Sequence, residues 1–120
     1  MRLTQVYCRD ETVLDAARRR VSFIFDQFAD IKVSISGGAD SSTLAHLMLE
    51  EAKRRNRKIG LFFLDEEVMY QSCVDQVTHI IEDWAPDHVI PLWLQAEFNL
   101  TNATSYSDSH LIAWEPGQHQ

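Results

Sequence analysis

Two kinds of hydrophobic pattern alternate along the chain. In some stretches apolar residues recur every three or four positions, which predicts amphipathic helices, and in others they alternate or run continuously, which predicts strands. Pro86 ends the last helical stretch, because proline cannot continue a helix. In chain order, the pattern predicts a helix over residues 12–28, a strand over 31–35, a helix whose apolar stripe runs over 44–52, a strand over 59–64, a helix over 70–84 and a strand over 88–94.

This order of elements predicts two βαβ units, and therefore a parallel sheet with right-handed crossovers. At 120 residues the chain is long enough for one domain and too short for two. We therefore expect a single-domain, three-layer α/β/α fold with a mainly parallel sheet. Its parts are an N-terminal helix region (1–29), a βαβαβ core (30–94) and an irregular C-terminal segment (95–120) in which Trp114 is expected to be partly exposed or covered by a partner.

The composition is that of a globular protein, with 45% hydrophobic and 24% charged residues. No apolar run is long enough to span a membrane. Met1 to Leu3 are followed by polar residues instead of a signal-peptide core, which predicts a cytoplasmic protein. Cys8 and Cys73 are far apart and form no CxxC pair, so we expect two reduced thiols.

The net charge of −7 is unevenly distributed along the chain. All eleven basic residues precede Ile59, whereas ten of the eighteen acids follow Lys58, so the two parts carry about +3 and −10. This makes nucleic acid an unexpected ligand for the second part. The basic run Lys53–Lys58 is interpreted as a solvated helix end, where cations favour the helix dipole, with a nucleic-acid patch as the alternative.

The segment Ser36–Ser42, "SGGADSS", lies where the first strand ends and the second helix begins. Ligands of open α/β sheets collect at the carboxyl ends of the strands. Glycine permits positive φ and close approach of a phosphate to the backbone, and a helix N-terminus offers free N–H groups to an anion. The segment is neither a Walker loop nor a GxGxxG loop. The alternative is a tight turn that only lets the helix pack on the sheet.

The stretch "SISGGADSS" resembles the PP-loop, SGGxDS, of the ATP pyrophosphatase superfamily, whose members bind ATP and cleave its α–β bond. The wider stretch of residues 33–71 is similar to the phosphoadenosine phosphosulfate (PAPS) reductase-like branch, in particular its bacterial and phage members. The similarity continues through "IPLWL", "NLTNATS" and "AWEP", and so covers roughly residues 22–116. It implies an adenine nucleotide alpha hydrolase-like fold, bound ATP and Mg²⁺, and a place for Asp65 near the ribose or the metal.

Three departures from that branch limit what the resemblance implies. Ala39 occupies a position where the branch usually has lysine, which weakens the attraction of phosphate. No cysteine follows Cys73, which we expect in the core, so sulfonucleotide reduction is not expected. The chain also stops where relatives continue, and the absent part usually supplies basic residues that clamp the nucleotide. Because electrostatic stabilisation is commonly the largest catalytic contribution, binding is better supported than catalysis.

Two functions follow from these observations. The first is an adenine-nucleotide binding protein with residual ATP pyrophosphatase or adenylating activity, in which Asp40 and Asp65 hold Mg²⁺. The second is a non-catalytic interaction protein on a shortened scaffold, such as an inhibitor encoded by a phage or mobile element. It would form a homodimer or bind a protein partner through its acidic half or an exposed sheet edge. The candidate nucleotide-binding residues are Ser36, Gly37, Gly38, Ala39, Asp40, Ser41, Ser42 and Asp65.

Overall fold

The structure, a computed structural model, describes residues 10–101, 103 and 106–117. Cys8 lies outside the described residues. The helices are α1 (Val13–Gln27), α2 (Ala39–Arg54) and α3 (Gln71–His79), and α3 continues into a π-helical turn (Ile80–Trp84) and a 3-10 turn (Pro86–His88). The strands are β1 (Lys32–Ser34), β2 (Ile59–Asp65), β3 (Val89–Gln95), β4 (Phe98–Thr101) and β5 (His110–Ala113).

Strands β1, β2 and β3 form a parallel sheet in that spatial order. Val33 is paired with Leu61 and Leu61 with Pro91, which fixes the register across the sheet. The predicted βαβαβ order is therefore confirmed, and the chain is an α/β domain. The three strands lie side by side in the same order as they occur along the chain. Two right-handed crossovers that advance in the same direction place α2 and α3 on the same face of the sheet.

One hydrophobic core lies between that face and the helices. Phe63 and Leu61 of β2 are fully buried in it, against Ala45 and Met48 of α2. Helix α1 contributes Phe25 and α3 contributes Val77. In the second half of β2, buried Leu61, Phe63 and Asp65 alternate with the more exposed Phe62 and Leu64, as the two-residue period of a strand requires.

The opposite face of the parallel sheet is apolar and only partly covered. We call it the open face. Leu64, Ile90 and Leu94 on it remain 37%, 48% and 44% exposed, and none of the helices in the described part of the chain packs on them. Parallel sheets are ordinarily covered on both faces, so the exposure of this face is unusual. The register places on the open face Lys32, Ser34, Gly60, Phe62, Leu64, Ile90, Leu92 and Leu94.

The segment after residue 95 differs from the expected irregular structure. Strands β4 and β5 pair antiparallel, with Phe98 opposite Ala113 and Thr101 opposite His110. Trp114, expected to be partly exposed or covered by a partner, is 5% exposed within this single chain. Each strand is only four residues long, which is too short for its pattern to stand out in the sequence.

The basic run after α2 is partly structural. Arg57 donates hydrogen bonds to the main-chain oxygens of Phe25, Phe28 and Ala29 at 2.7–2.8 Å, where α1 ends. Its guanidinium also lies 5.0 Å from the centre of the Phe25 ring. Arg57 therefore satisfies carbonyls that a helix end leaves without partners, a role that neither sequence interpretation of the run included.

None of the helices in the described ranges is long and apolar enough to cross a membrane.

Candidate functional site

The glycine loop lies at the carboxyl end of β1 and leads directly into α2. Gly37 has φ +75°, a left-handed conformation that side chains disfavour. A β-carbon added there would lie 2.3 Å from the main-chain oxygen of Cys73, in the first turns of α3. Glycine is thus required at this position by packing as well as by backbone conformation, whatever the loop binds. Cys73, expected in the core, is only partly buried.

Gly38 is the N-cap of α2 and has no side chain with which to cap the helix. Helix α1 begins differently, because the Thr12 hydroxyl accepts a hydrogen bond from the Asp15 main-chain N–H at 3.1 Å. The first amides of any helix lack intrahelical acceptors. At α2 no side chain in the described part of the chain caps these amides, which begin with Ala39. They can therefore meet an external acceptor, and the helix dipole favours an anion there.

Ser36 and Ser41 hold the loop together. The Ser41 hydroxyl accepts from the Ser36 main-chain N–H at 3.2 Å and donates to the Gly38 carbonyl oxygen at 3.1 Å. The two serine hydroxyl oxygens are 3.1 Å apart. Since the only hydroxyl proton of Ser41 goes to Gly38, Ser36 is the donor between them. Both hydroxyl protons are therefore used inside the loop, whereas the sequence suggested that they would meet a phosphate.

The remaining loop residues occupy the first turn of α2. Ala39 and Asp40 are exposed, and Asp40 places a carboxylate near the helix N-terminus. The Ser42 hydroxyl oxygen is buried and has no hydrogen-bond partner among the described residues. Of the predicted phosphate ligands, only the main-chain amides and exposed side chains at the start of α2 are thus in a position to meet a ligand.

Asp65 ends β2 at the same edge of the sheet, but its carboxylate is engaged by its own chain. One oxygen accepts from the main-chain N–H of Glu67 at 3.0 Å. The other accepts from the indole N–H of Trp93 and the side-chain amide of Gln95, each at 2.9 Å. Asp65 is 5% exposed, and a buried carboxylate needs such donors to offset its lost hydration.

A second set of contacts joins the β4–β5 hairpin to this edge. The main-chain N–H of Trp114 donates to a carboxylate oxygen of Glu67, and its indole N–H donates to the main-chain oxygen of Asp65, both at 2.6 Å. Glu67 and Trp114 both have positive φ, +61° and +50°. Such conformations persist only where surrounding contacts enforce them.

The partners of Asp65 were not predicted from the sequence, although part of the signal was present. In a parallel sheet, residues two apart on a strand share a face, and carboxyl ends of neighbouring strands share an edge. Trp93 and Gln95 therefore had to lie on one face near the end of β3, beside Asp65. The contact with Trp114 had no such signal, because it joins positions 49 residues apart.

The metal-binding capacity of the site is limited. No group of three or more histidine, cysteine, aspartate or glutamate side chains suited to a metal occurs in the described part of the chain. Protein-bound Mg²⁺ commonly uses only one or two carboxylates and otherwise phosphate and water oxygens. Asp40, exposed at the start of α2, fits that pattern, whereas the Asp65 carboxylate already accepts three hydrogen bonds.

A largely apolar hollow lies near the loop. It has a volume of about 420 Å³ and lies beside α2, where Leu14, Leu47 and Trp84 supply its apolar wall. Its arginine, Arg18, forms a salt bridge of 3.2 Å with Glu50. The arginine of this hollow is therefore already neutralised by a carboxylate of the same chain.

Comparisons with known proteins place few limits on the function. No family profile matches the chain, and no solved structure matches it. The chain is 28% identical over 104 residues to the uncharacterized protein YbdN of Escherichia coli strain K12. The match covers 87% of this chain and 26% of YbdN, so the chain spans about a quarter of the length of this relative.

Proposed function

We propose that this chain binds an adenine nucleotide, ATP, with the phosphates at the loop Ser36–Ser42 and the start of α2. The observation that carries the proposal is the N-cap of α2. Gly38 caps a sixteen-residue helix without a side chain, at the carboxyl edge of a parallel sheet. The free amides and the helix dipole at this edge suit a phosphate group.

The loop sequence supports the choice of nucleotide. "SGGADSS" keeps the glycines, aspartate and serines of the PP-loop motif of the PAPS reductase-like proteins. The glycines and two of the serines serve the loop geometry, since Gly37 packs against Cys73 and Ser41 joins Ser36 to Gly38. On this proposal, these residues shape the loop, while the amides that follow Gly38 contact the phosphates.

We assign Mg²⁺ to Asp40 together with the phosphates, and we assign Asp65 a supporting role. A carboxylate beside bound phosphates needs a cation to offset the repulsion, and Mg²⁺ would supply charge neutralisation there. Asp65 instead holds Trp93 and Gln95 at the carboxyl edge. The ribose and metal roles that the resemblance implied for Asp65 would require it to release those donors.

Binding is better supported than turnover. Release of pyrophosphate needs several donors aimed at the developing charge, and one lost donor costs on the order of 3 kcal/mol. The candidate site offers main-chain amides, and Ala39 stands where a lysine would add charge. A complete three-layer arrangement would add further residues around the nucleotide, and we propose that a longer polypeptide or a second chain supplies them.

The decisive experiment replaces the missing helix cap. Gly38 has φ −79° and ψ 166°, the extended conformation of an N-cap, and a β-carbon there meets only the Ser36 hydroxyl oxygen, at 3.6 Å. Gly38→Asp should therefore fold and place a carboxylate on the free amides. Isothermal titration with ATP and Mg²⁺ should show binding by the wild type and at least about tenfold weaker binding by Gly38→Asp.

Gly38→Ala is the matched control, since it adds a β-carbon without a cap. Gly38→Asp should be about 0.5–2 kcal/mol more stable to urea than Gly38→Ala and yet bind ATP more weakly. Opposite changes in stability and affinity would separate loss of the phosphate site from loss of the fold. Folded wild-type protein that gives no heat with ATP and Mg²⁺ would refute the nucleotide proposal.

A further inference from the structure

We propose that the open face of the sheet is the docking surface for a second copy of this chain, which stacks its own open face on it. The inference does not depend on nucleotide binding. It starts from the exposed fraction of three aliphatic side chains, Leu64, Ile90 and Leu94. Leu64 is paired with Leu94 across β2 and β3, and Ile90 lies on the same face of β3, four residues before Leu94. Exposed apolar patches of this kind mark interaction sites.

The open face differs in charge from the rest of the molecule. The protein carries a net charge of −7, so two copies repel each other over most approaches. On the open face the register places no acidic residue, and its only charged side chain, Lys32, is paired with Asp30 of the same chain. Stacking two such faces buries apolar rows, and the one carboxylate drawn to the face, that of Asp30, is neutralised by Lys32.

The edges of the sheet are poorer candidates. Strand β1 has only three residues and begins with Lys32. Strand β3 carries Pro91 in its middle, and proline has no N–H to donate to an added strand. Short strands, lysine and proline are the features by which proteins prevent edge pairing. From the sequence, an exposed sheet edge was one expected interaction surface, and the character of these edges favours the open face instead.

The size of the open face predicts a weak dimer. Three strands spaced about 4.8 Å apart give a face roughly 14 Å wide, with apolar rows of some 15–20 Å along the strands. This is small beside the ~800 Å² of accessible surface that each partner of a stable complex buries. We therefore expect association in the micromolar range or weaker, with the two sheets about 10 Å apart.

The test compares two leucines of nearly equal exposure. Leu94 on the open face is 44% exposed, and Leu44 on α2 is 46% exposed. Leu94→Lys and Leu44→Lys make the same chemical change, but only the first should raise the dissociation constant, by at least about tenfold. Sedimentation velocity from about 1 µM to about 500 µM measures the constant for the wild type and both variants.

A measurement on the unmodified protein guards against misfolding of Leu94→Lys. Methyl resonances of Leu64, Ile90 and Leu94 should shift with protein concentration, whereas that of Leu44 should not. A wild-type protein that stays monomeric at every concentration, or a dimer disrupted equally by both lysine variants, overturns the proposal. The monomeric outcome would assign the open face to a segment of a longer polypeptide.

Discussion

The indole N–H of Trp114 donates a 2.6 Å hydrogen bond to the main-chain oxygen of Asp65 at the end of β2. The donor lies in a residue that is 5% exposed, so water cannot replace the bond without local opening. This contact joins the β4–β5 hairpin to the edge of the sheet where the glycine loop also lies. The hairpin is therefore part of the candidate site's surroundings.

Trp114→Phe should keep most of the buried ring and remove only this donor. A buried carbonyl left without its partner costs about 1–3 kcal/mol, so we expect a loss of that size in urea unfolding. Relative to the wild type, Trp114→Phe should accelerate hydrogen exchange of the β4 and β5 amides more than that of the β2 amides. Trp93→Phe is the control, because it also removes an indole donor to Asp65 but from a residue that is 38% exposed. Equal effects of the two variants on the hairpin amides would contradict this account.

A second prediction separates packing from backbone strain at Gly37. Gly37 and Gly117 both have positive φ, but a β-carbon at Gly117 meets nothing within 4 Å, whereas one at Gly37 meets the Cys73 backbone. Gly117→Ala should cost about 1–2 kcal/mol through conformation alone. Gly37→Ala should cost clearly more, because main-chain atoms of α3 must move. Urea unfolding of both variants measures the difference, and similar losses would show that the contact with Cys73 is not restrictive.

The pattern of the chain predicted the parallel core and the position of the loop, because those elements follow from local periodicity and from glycine spacing. The local pattern did not indicate the open face, since the continuous apolar run of β2 is typical of a strand covered on both faces. The roles of Arg57 and Asp65 depend on partners about 30 residues away in the sequence. Local pattern cannot identify such partners, and Asp65 was consequently interpreted as a ligand-binding residue.

A third prediction concerns acid stability. The Arg54 side chain and, to a smaller extent, the Arg55 side chain donate hydrogen bonds to the Glu51 carboxylate. These bonds lower the pKa of Glu51 from 4.5 to about 2. The folded state thus binds fewer protons than the unfolded state between these pH values, so the stabilisation is complete above about pH 4.5 and is lost as the pH falls towards 2.

Glu51→Gln should remove that pH dependence. At pH 6 the free energy of unfolding of the wild type should exceed that of the variant by about 1–2 kcal/mol, which is less than the full pKa shift corresponds to because solvent screens Arg54. The difference should vanish near pH 2. Urea unfolding at several pH values provides the measurement. Glu82→Gln, on the exposed surface of the π-helical turn, controls for loss of a charge and should stay within about 0.5 kcal/mol of wild type. A Glu51→Gln difference that is constant with pH would contradict the assigned pKa.

The last prediction tests whether Ala39 weakens the candidate phosphate site. Ala39 is exposed and is the first residue of α2, so Ala39→Lys places a cation beside the free amides. We expect ATP affinity to rise about three- to tenfold at low salt, because a charge pair near a protein surface contributes on the order of 1 kcal/mol or more. The gain should diminish at high salt through screening.

Gln27→Lys provides the matched control for that prediction. Gln27 is exposed and ends α1 just before β1, so Gln27→Lys adds the same charge at the opposite edge of the sheet from the loop. Titration calorimetry at two salt concentrations should therefore show an affinity gain for Ala39→Lys alone. Ala39→Lys should also lower stability by about 0.3–1 kcal/mol, since a cation at a helix N-terminus opposes the dipole. Equal gains from both lysines would mean that net charge, and not the start of α2, governs the attraction of ATP.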